Sequence, residues 1–129
     1  MGQQQLLLII LGVIIVGVAI AVGISMFSGQ SNASNRDGII ADLNSLGADA
    51  FQFKIRPVSM GGGAGSFAAY VIPTAWGAGN PNATYTISGA PTTTNISFHA
   101  VSKTVTGATV DLSFNGTGGV TAAPVSVGF

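Results

Sequence analysis

The chain has 129 residues, enough for one small domain with an appendage. Only 6% of them are charged, the formal net charge is zero and the mean hydropathy is +0.58. There is no basic patch and no acidic tail, which excludes nucleic acid as a structural partner. With no cysteine, no glutamate, one histidine and four aspartates, the sequence has no disulfides, thiol nucleophiles or thiolate metal sites. On that poverty it reads as no enzyme, with no cofactor and no metal.

The first element is an apolar run. Leu6 to Ile24 reads LLLIILGVIIVGVAIAVGI without one polar side chain, Met26 and Phe27 prolong it, and the first charge is Arg36. About 20 helical residues at 1.5 Å each cross the ~30 Å hydrocarbon core of a bilayer. A segment apolar on every side is not shaped for half-burial on a soluble domain. As a cleaved signal peptide it is too long, lacks a basic n-region and is followed by no clear small-residue cleavage site. Two readings remain: a plain single-span anchor, and a helix that lies in the membrane before assembly and in a filament core afterwards. Neither flank is rich in Lys or Arg, so the positive-inside rule does not orient it. The side chains expected to make the filament core and subunit contacts are Gln5, Leu6, Leu7, Leu8, Ile9, Ile10, Leu11, Val13, Ile14, Ile15, Val16, Val18, Ile20, Val22 and Ile24. Gly12, Gly17 and Gly23 interrupt the run, each at a cost of about 0.5–1 kcal/mol relative to Ala. Close helix packing and local unwinding on leaving lipid are both open explanations, and spacings of five and six do not match a GxxxG motif.

After a polar, small-residue stretch (Ser28 to Asn35) the pattern becomes amphipathic. Ile39, Leu43, Leu46, Ala50 and Phe53 recur at steps of four and three, joined by Ile40 and Phe51, while Asp42, Ser45, Asp49, Gln52 and Arg56 take the other side. Pro57 marks the end. The expected first unit is therefore a long helix over 1–57, with an apolar part (1–28) and an amphipathic part (35–57). If continuous it is roughly 80 Å long.

Residues 58–66 read as a flexible Gly-rich connector, and Met60 to Ser66 lacks the Gly-Lys-Ser/Thr ending of a phosphate loop. Over 67–129 the apolar period falls to two. Ala83, Tyr85 and Ile87 alternate with Thr84, Thr86 and Ser88; Ile96, Phe98 and Ala100 with Ser97 and His99; Val110, Leu112 and Phe114 with Thr109, Asp111 and Ser113. Ser66 to Ile72 and Val125 to Phe129 are expected to be strands as well, and Gly, Pro, Asn and Thr clusters between the runs predict antiparallel turns. The apolar face of such a sheet needs a cover, and the stripe from Ile39 to Phe53 supplies it. The predicted fold class is α+β, a long N-terminal helix packed on a small antiparallel sheet.

An apolar helix from the N-terminus, an amphipathic continuation, a Gly-rich connector and a small sheet together resemble the type IV pilins and the related pseudopilins and archaeal pilins. The resemblance covers the whole plan, and in sequence it rests on Leu6 to Ile24. It implies a homopolymeric extracellular filament on the cell surface, a precursor pool in the inner (cytoplasmic) membrane, and a pilus assembly machinery as partner. In that family a peptidase cuts after a glycine that follows a basic leader, and a Glu at the fifth position of the mature helix pairs with a neighbouring subunit's N-terminal amine. Here no basic leader is visible, and the fifth residue from Met1 is Gln5, preceded by Gln3 and Gln4. Gln5 offers a neutral hydrogen bond in place of that charge. If Gly2 is the cleavage-site glycine, Gln3 leads the mature chain.

Few other side chains invite chemistry. His99 falls on the polar side of a strand and reads as solvated; Asp37, Asp42, Asp49 and Asp111 are scattered and read as solvating or turn residues. Trp76 and Tyr70 read as buried or subunit-contact aromatics in preference to a sugar platform. Four of the seven asparagines open N-x-Ser/Thr sequons, Asn32, Asn82, Asn95 and Asn115, an excess that predicts a glycosylated surface; Thr92, Thr93 and Thr94 also allow O-linked sugar. The reading in function is a filament subunit that polymerises through its apolar helix. The alternative is a monomeric, single-span, membrane-anchored surface domain, while a filamentous virus coat fits less well because such coats are shorter, helical and basic.

Overall fold

The computed structural model describes residues 2–129. Helix α1 spans Gly2–Ile55, followed by a 3-10 turn at Val58–Met60 and a short helix α2 at Thr74–Gly77. Strands β1 (Ala83–Ile87), β2 (Ile96–Ser102), β3 (Thr109–Phe114) and β4 (Val125–Val127) form one antiparallel sheet in the order β1-β2-β3-β4. The molecule is α+β, the long N-terminal helix packing on the sheet. The chain divides into two compact units between Asn32 and Ala33.

In the second unit the helical residues bury one stripe. Asn35, Ile39, Leu43, Leu46, Gly47 and Ala50 are buried, and Ile40 and Phe53 flank them. Their steps of three and four keep them on one face. The sheet contributes every second residue: Ala83 and Tyr85 from β1; Ile96, Phe98 and Ala100 from β2; Val110, Leu112 and Phe114 from β3. Register makes the layers coherent, because Tyr85 stands opposite Ala100 and Phe98 opposite Leu112. The aromatic rings meet edge to face, Tyr70 with Phe53 and Phe98, and Phe98 with Phe114. At Gly47 the Phe114 ring lies against the helix backbone: a Cβ there would be 2.1 Å from Phe114 Cζ, so only glycine allows the contact.

Three expectations need correction. Ser66 to Ile72 is not a strand: Phe67 and Tyr70 are both buried but three residues apart, and a turn closes through Tyr70 N–H to the Phe67 carbonyl at 2.9 Å. The Ser66 hydroxyl accepts from the Ala68 N–H at 3.1 Å and draws the backbone away from a ladder. The Gly-rich connector is not a flexible tether. It folds back over the end of α1, where Gly63, Gly65 and Ala64 donate N–H groups to the carbonyls of Phe53, Lys54 and Arg56 at 2.8, 2.6 and 3.1 Å. Those carbonyls are among the acceptors that every helix end leaves open. Glycine is needed because a Cβ at Gly62 would collide with the Arg56 backbone. The last strand is also shorter than expected: pairing stops at Val127, and Phe129 packs partly buried against the core.

Candidate assembly surface

Leu6 to Ile24 lie within α1, with their backbone polar groups bonded inside the helix as a hydrocarbon environment requires. The fourteen aliphatic side chains expected to make contacts, from Leu6 to Ile24, are each 52–68% exposed. That uniformity decides the character of the segment, since exposure does not fall along any stripe of it. Gln5 is exposed at the start of the run, beside Gln3 and Gln4. No acidic side chain lies in the first turn of α1. The run ends at Ser25, whose hydroxyl donates to the Ala21 carbonyl at 3.1 Å and so satisfies itself within the helix. The helix is maintained through Gly12, Gly17 and Gly23, and, apart from the adjoining helix backbone and chain neighbours, no atom of the described residues lies within 4 Å of the Cβ each would carry. By length and composition, α1 qualifies as a membrane span.

The polar residues of the second unit differ from their sequence reading. Asp42 and Asp49 are not simply solvating. The Tyr85 hydroxyl donates to Asp42 Oδ2 at 2.5 Å, Asn80 Nδ2 donates to the same oxygen at 2.6 Å, and the Tyr70 hydroxyl donates to Asp49 Oδ2 at 2.8 Å. Both aspartates flank the buried stripe and reach the phenols from the helix side. Burial first, and then the adjacent carboxylate, push both phenol pKa values well above their ordinary range. Tyr70 is a buried aromatic as expected, and Trp76 stacks half-buried, edge to face, on Tyr85 at 5.7 Å.

His99 and Asp111 form a pair that was not foreseen. They stand directly opposite on β2 and β3, with Nδ1 2.6 Å from Oδ1 on the outer face of the sheet. Alternation placed both on polar positions, but only the strand register brings them together. Asn35 was also missed. It is buried, accepts from the Ser102 hydroxyl at 2.7 Å, and directs its amide at the Asn82 carbonyl and Thr104 hydroxyl, each at 3.4 Å. Among the described residues no group of three potential metal-ligating side chains occurs.

The four sequons have different environments. Asn32 is half-buried within α1, and Asn82 is half-buried with its amide 3.5 Å from Asp42 Oδ2. Asn95 is exposed, and Asn115 is half-buried in a turn. Searches for comparable proteins return no matching family profile, no matching characterised protein and no matching solved structure.

Proposed function

We propose that the chain is the structural subunit of an extracellular helical filament, polymerising with copies of itself through residues 6–24. The observation that carries this reading is the all-round exposure of fourteen aliphatic side chains on α1, in a chain whose sheet is already covered by a later stretch of the helix, Ile39 to Ala50. Such a surface is far larger than a soluble protein leaves to water and requires a cover. Lipid covers it in the precursor; neighbouring copies cover it in the fibre. Burying it stabilises assembly by something on the order of tens of kcal/mol before entropy costs. A head-to-tail helical array buries it without closing into a ring. In this reading the sheet domain faces outward, an assembly machinery lifts the subunit from the cytoplasmic membrane, and the protein catalyses nothing.

The second reading is a monomeric surface domain on a single-span anchor. It is favoured by the second unit, which completes its own hydrophobic core without a residue from elsewhere. Negative-stain electron microscopy of the sheared extracellular fraction separates the two, combined with mass spectrometry of the pelleted material. Uniform thin fibres with this chain as their main protein support the filament. If an abundant chain stays wholly in the membrane fraction, the anchored domain takes its place.

A further inference from the structure

The four sequons, two ending in Ser (at Asn32 and Asn95) and two in Thr (at Asn82 and Asn115), share one motif but occupy different places in the fold. We propose that Asn95 is the principal acceptor of N-linked carbohydrate on this chain. The proposal needs only that the second unit lies on the exported side of a membrane, so it holds for a filament subunit and for an anchored domain alike.

Three features select Asn95. Its backbone is held while its side chain is displayed: the Asn95 carbonyl accepts from the Thr92 N–H at 2.9 Å, and the Asn95 N–H donates to Thr92 Oγ1 at 3.0 Å. The carboxamide itself is exposed and has no hydrogen-bond partner among the described residues. The sequon leads out of that hydrogen-bonded turn directly into β2, whose second residue, Ser97, carries the hydroxyl that is the second determinant of the sequon, so no part of it lies within a helix.

Each rival fails on one of these counts. Asn32 and Ser34 are both within α1, where two residues correspond to about 200° of rotation, so their side chains diverge. Asn82 has its amide directed at Asp42 and packed over Gly38, while its carbonyl accepts from the Lys103 N–H. Asn115 Oδ1 accepts from the Thr117 N–H, the Thr117 hydroxyl and the Gly119 N–H at 3.1, 2.7 and 2.9 Å, and the residue is half-buried.

The donor implied is a lipid-phosphate-linked oligosaccharide, acted on by a membrane transferase. The Asn95 Nδ2 attacks the anomeric carbon, the bond from that carbon to the phosphate oxygen breaks, and the lipid phosphate leaves with the electron pair. One amide proton passes to a base on the transferase, leaving a secondary amide with one N–H.

The test is intact-mass and fragment mass spectrometry of the chain purified from its native cells, with fragmentation that distinguishes Asn82 from Asn95. The expected result is a sugar increment on Asn95 at higher occupancy than on Asn32, Asn82 or Asn115. That increment should be lost in Asn95→Gln and in Ser97→Ala and retained in Ser97→Thr, which keeps the hydroxyl that meets Ser113 Oγ at 2.8 Å. An unmodified Asn95, a higher occupancy at another sequon, or an increment that survives Ser97→Ala because it is O-linked at Thr92 to Thr94 overturns the proposal. Unmodified fibres would overturn it while leaving the filament reading intact.

Discussion

At Gly47 the absence of a side chain sets how closely helix and sheet approach, because the Phe114 ring occupies the space a Cβ would need. Alanine normally gains about 0.5–1 kcal/mol over glycine inside a helix. Gly47→Ala is nevertheless expected to destabilise the domain by about 1–3 kcal/mol, the cost of overpacking a filled core. Thermal melts of the detergent-solubilised chain check this, and adding Phe114→Leu should recover part of the loss; additive losses would refute the steric account. The two tyrosines carry a pH dependence whose sign follows from burial. Tyr70 and Tyr85 hold their protons above the ordinary phenol range in the folded state, while in the unfolded state they ionise near pH 10. The unfolded state thus releases protons first, and stability is lost as pH rises above about 10, by at most ~1.4 kcal/mol per unit for each tyrosine. Below that pH neither tyrosine contributes a dependence. Since Tyr70 and Tyr85 are the only tyrosines, ultraviolet titration reads them directly. Tyrosinate absorbance should be absent from the folded chain at about pH 11 and appear with unfolding.

The two parts of α1 have different surroundings, and they are expected to respond differently to mutation. Leu43 is fully buried under the sheet, whereas Ile14 is more than half exposed in α1. Leu43→Ala is expected to lower the stability of the sheet domain by about 2–5 kcal/mol through lost transfer energy and a residual cavity. Ile14→Ala should leave the same melt unchanged, because Ile14 is not among the residues of the domain core. Equal effects from both substitutions would contradict the division of labour. At the C-terminal end of α1 the Gly-rich segment completes the element, its amides taking the carbonyls of Phe53, Lys54 and Arg56. The side chain of Lys54 adds to this closure, reaching the Gly116 carbonyl and lying 5.1 Å from the centre of the Phe67 ring.

For the whole molecule, the proposed polymer is driven by apolar burial, and no charged side chain precedes Arg36. Fibres should therefore persist in molar salt, which screens charge pairs, and dissolve in detergent, which replaces apolar contacts. Fibre dissolution by salt alone would argue for an electrostatic assembly. Ile14→Asp introduces a carboxylate that costs about 2.5–3.5 kcal/mol at a bilayer centre and lacks an opposite charge anywhere in the run. It is expected to abolish fibres in the sheared fraction by electron microscopy while the sheet domain keeps its melting transition. Wild-type fibre yield from this variant would remove residues 6–24 from the proposed interface.

Local periodicity was enough to read the helix, its apolar and amphipathic portions and the three longer strands, because hydrophobic spacing reports directly which face of an element is buried. Ile39, Leu43, Leu46 and Ala50 were legible this way, as were Tyr85, Phe98 and Leu112. Contacts set by register were not legible. His99 meets Asp111 only because β2 and β3 pair at those positions, and Asp42 and Asp49 appeared solvated until the fold brought Tyr85 and Tyr70 to them. Phe67 and Tyr70 misled because a short buried turn and a short strand can show the same few apolar residues. The four sequons were legible as motifs, but their exposure was not. What each stretch has to hide from water was readable from its residues, because it depends on side-chain chemistry and spacing alone. Which polar groups meet and which stay free emerged with the fold, because partners distant along the chain come together through packing and strand register.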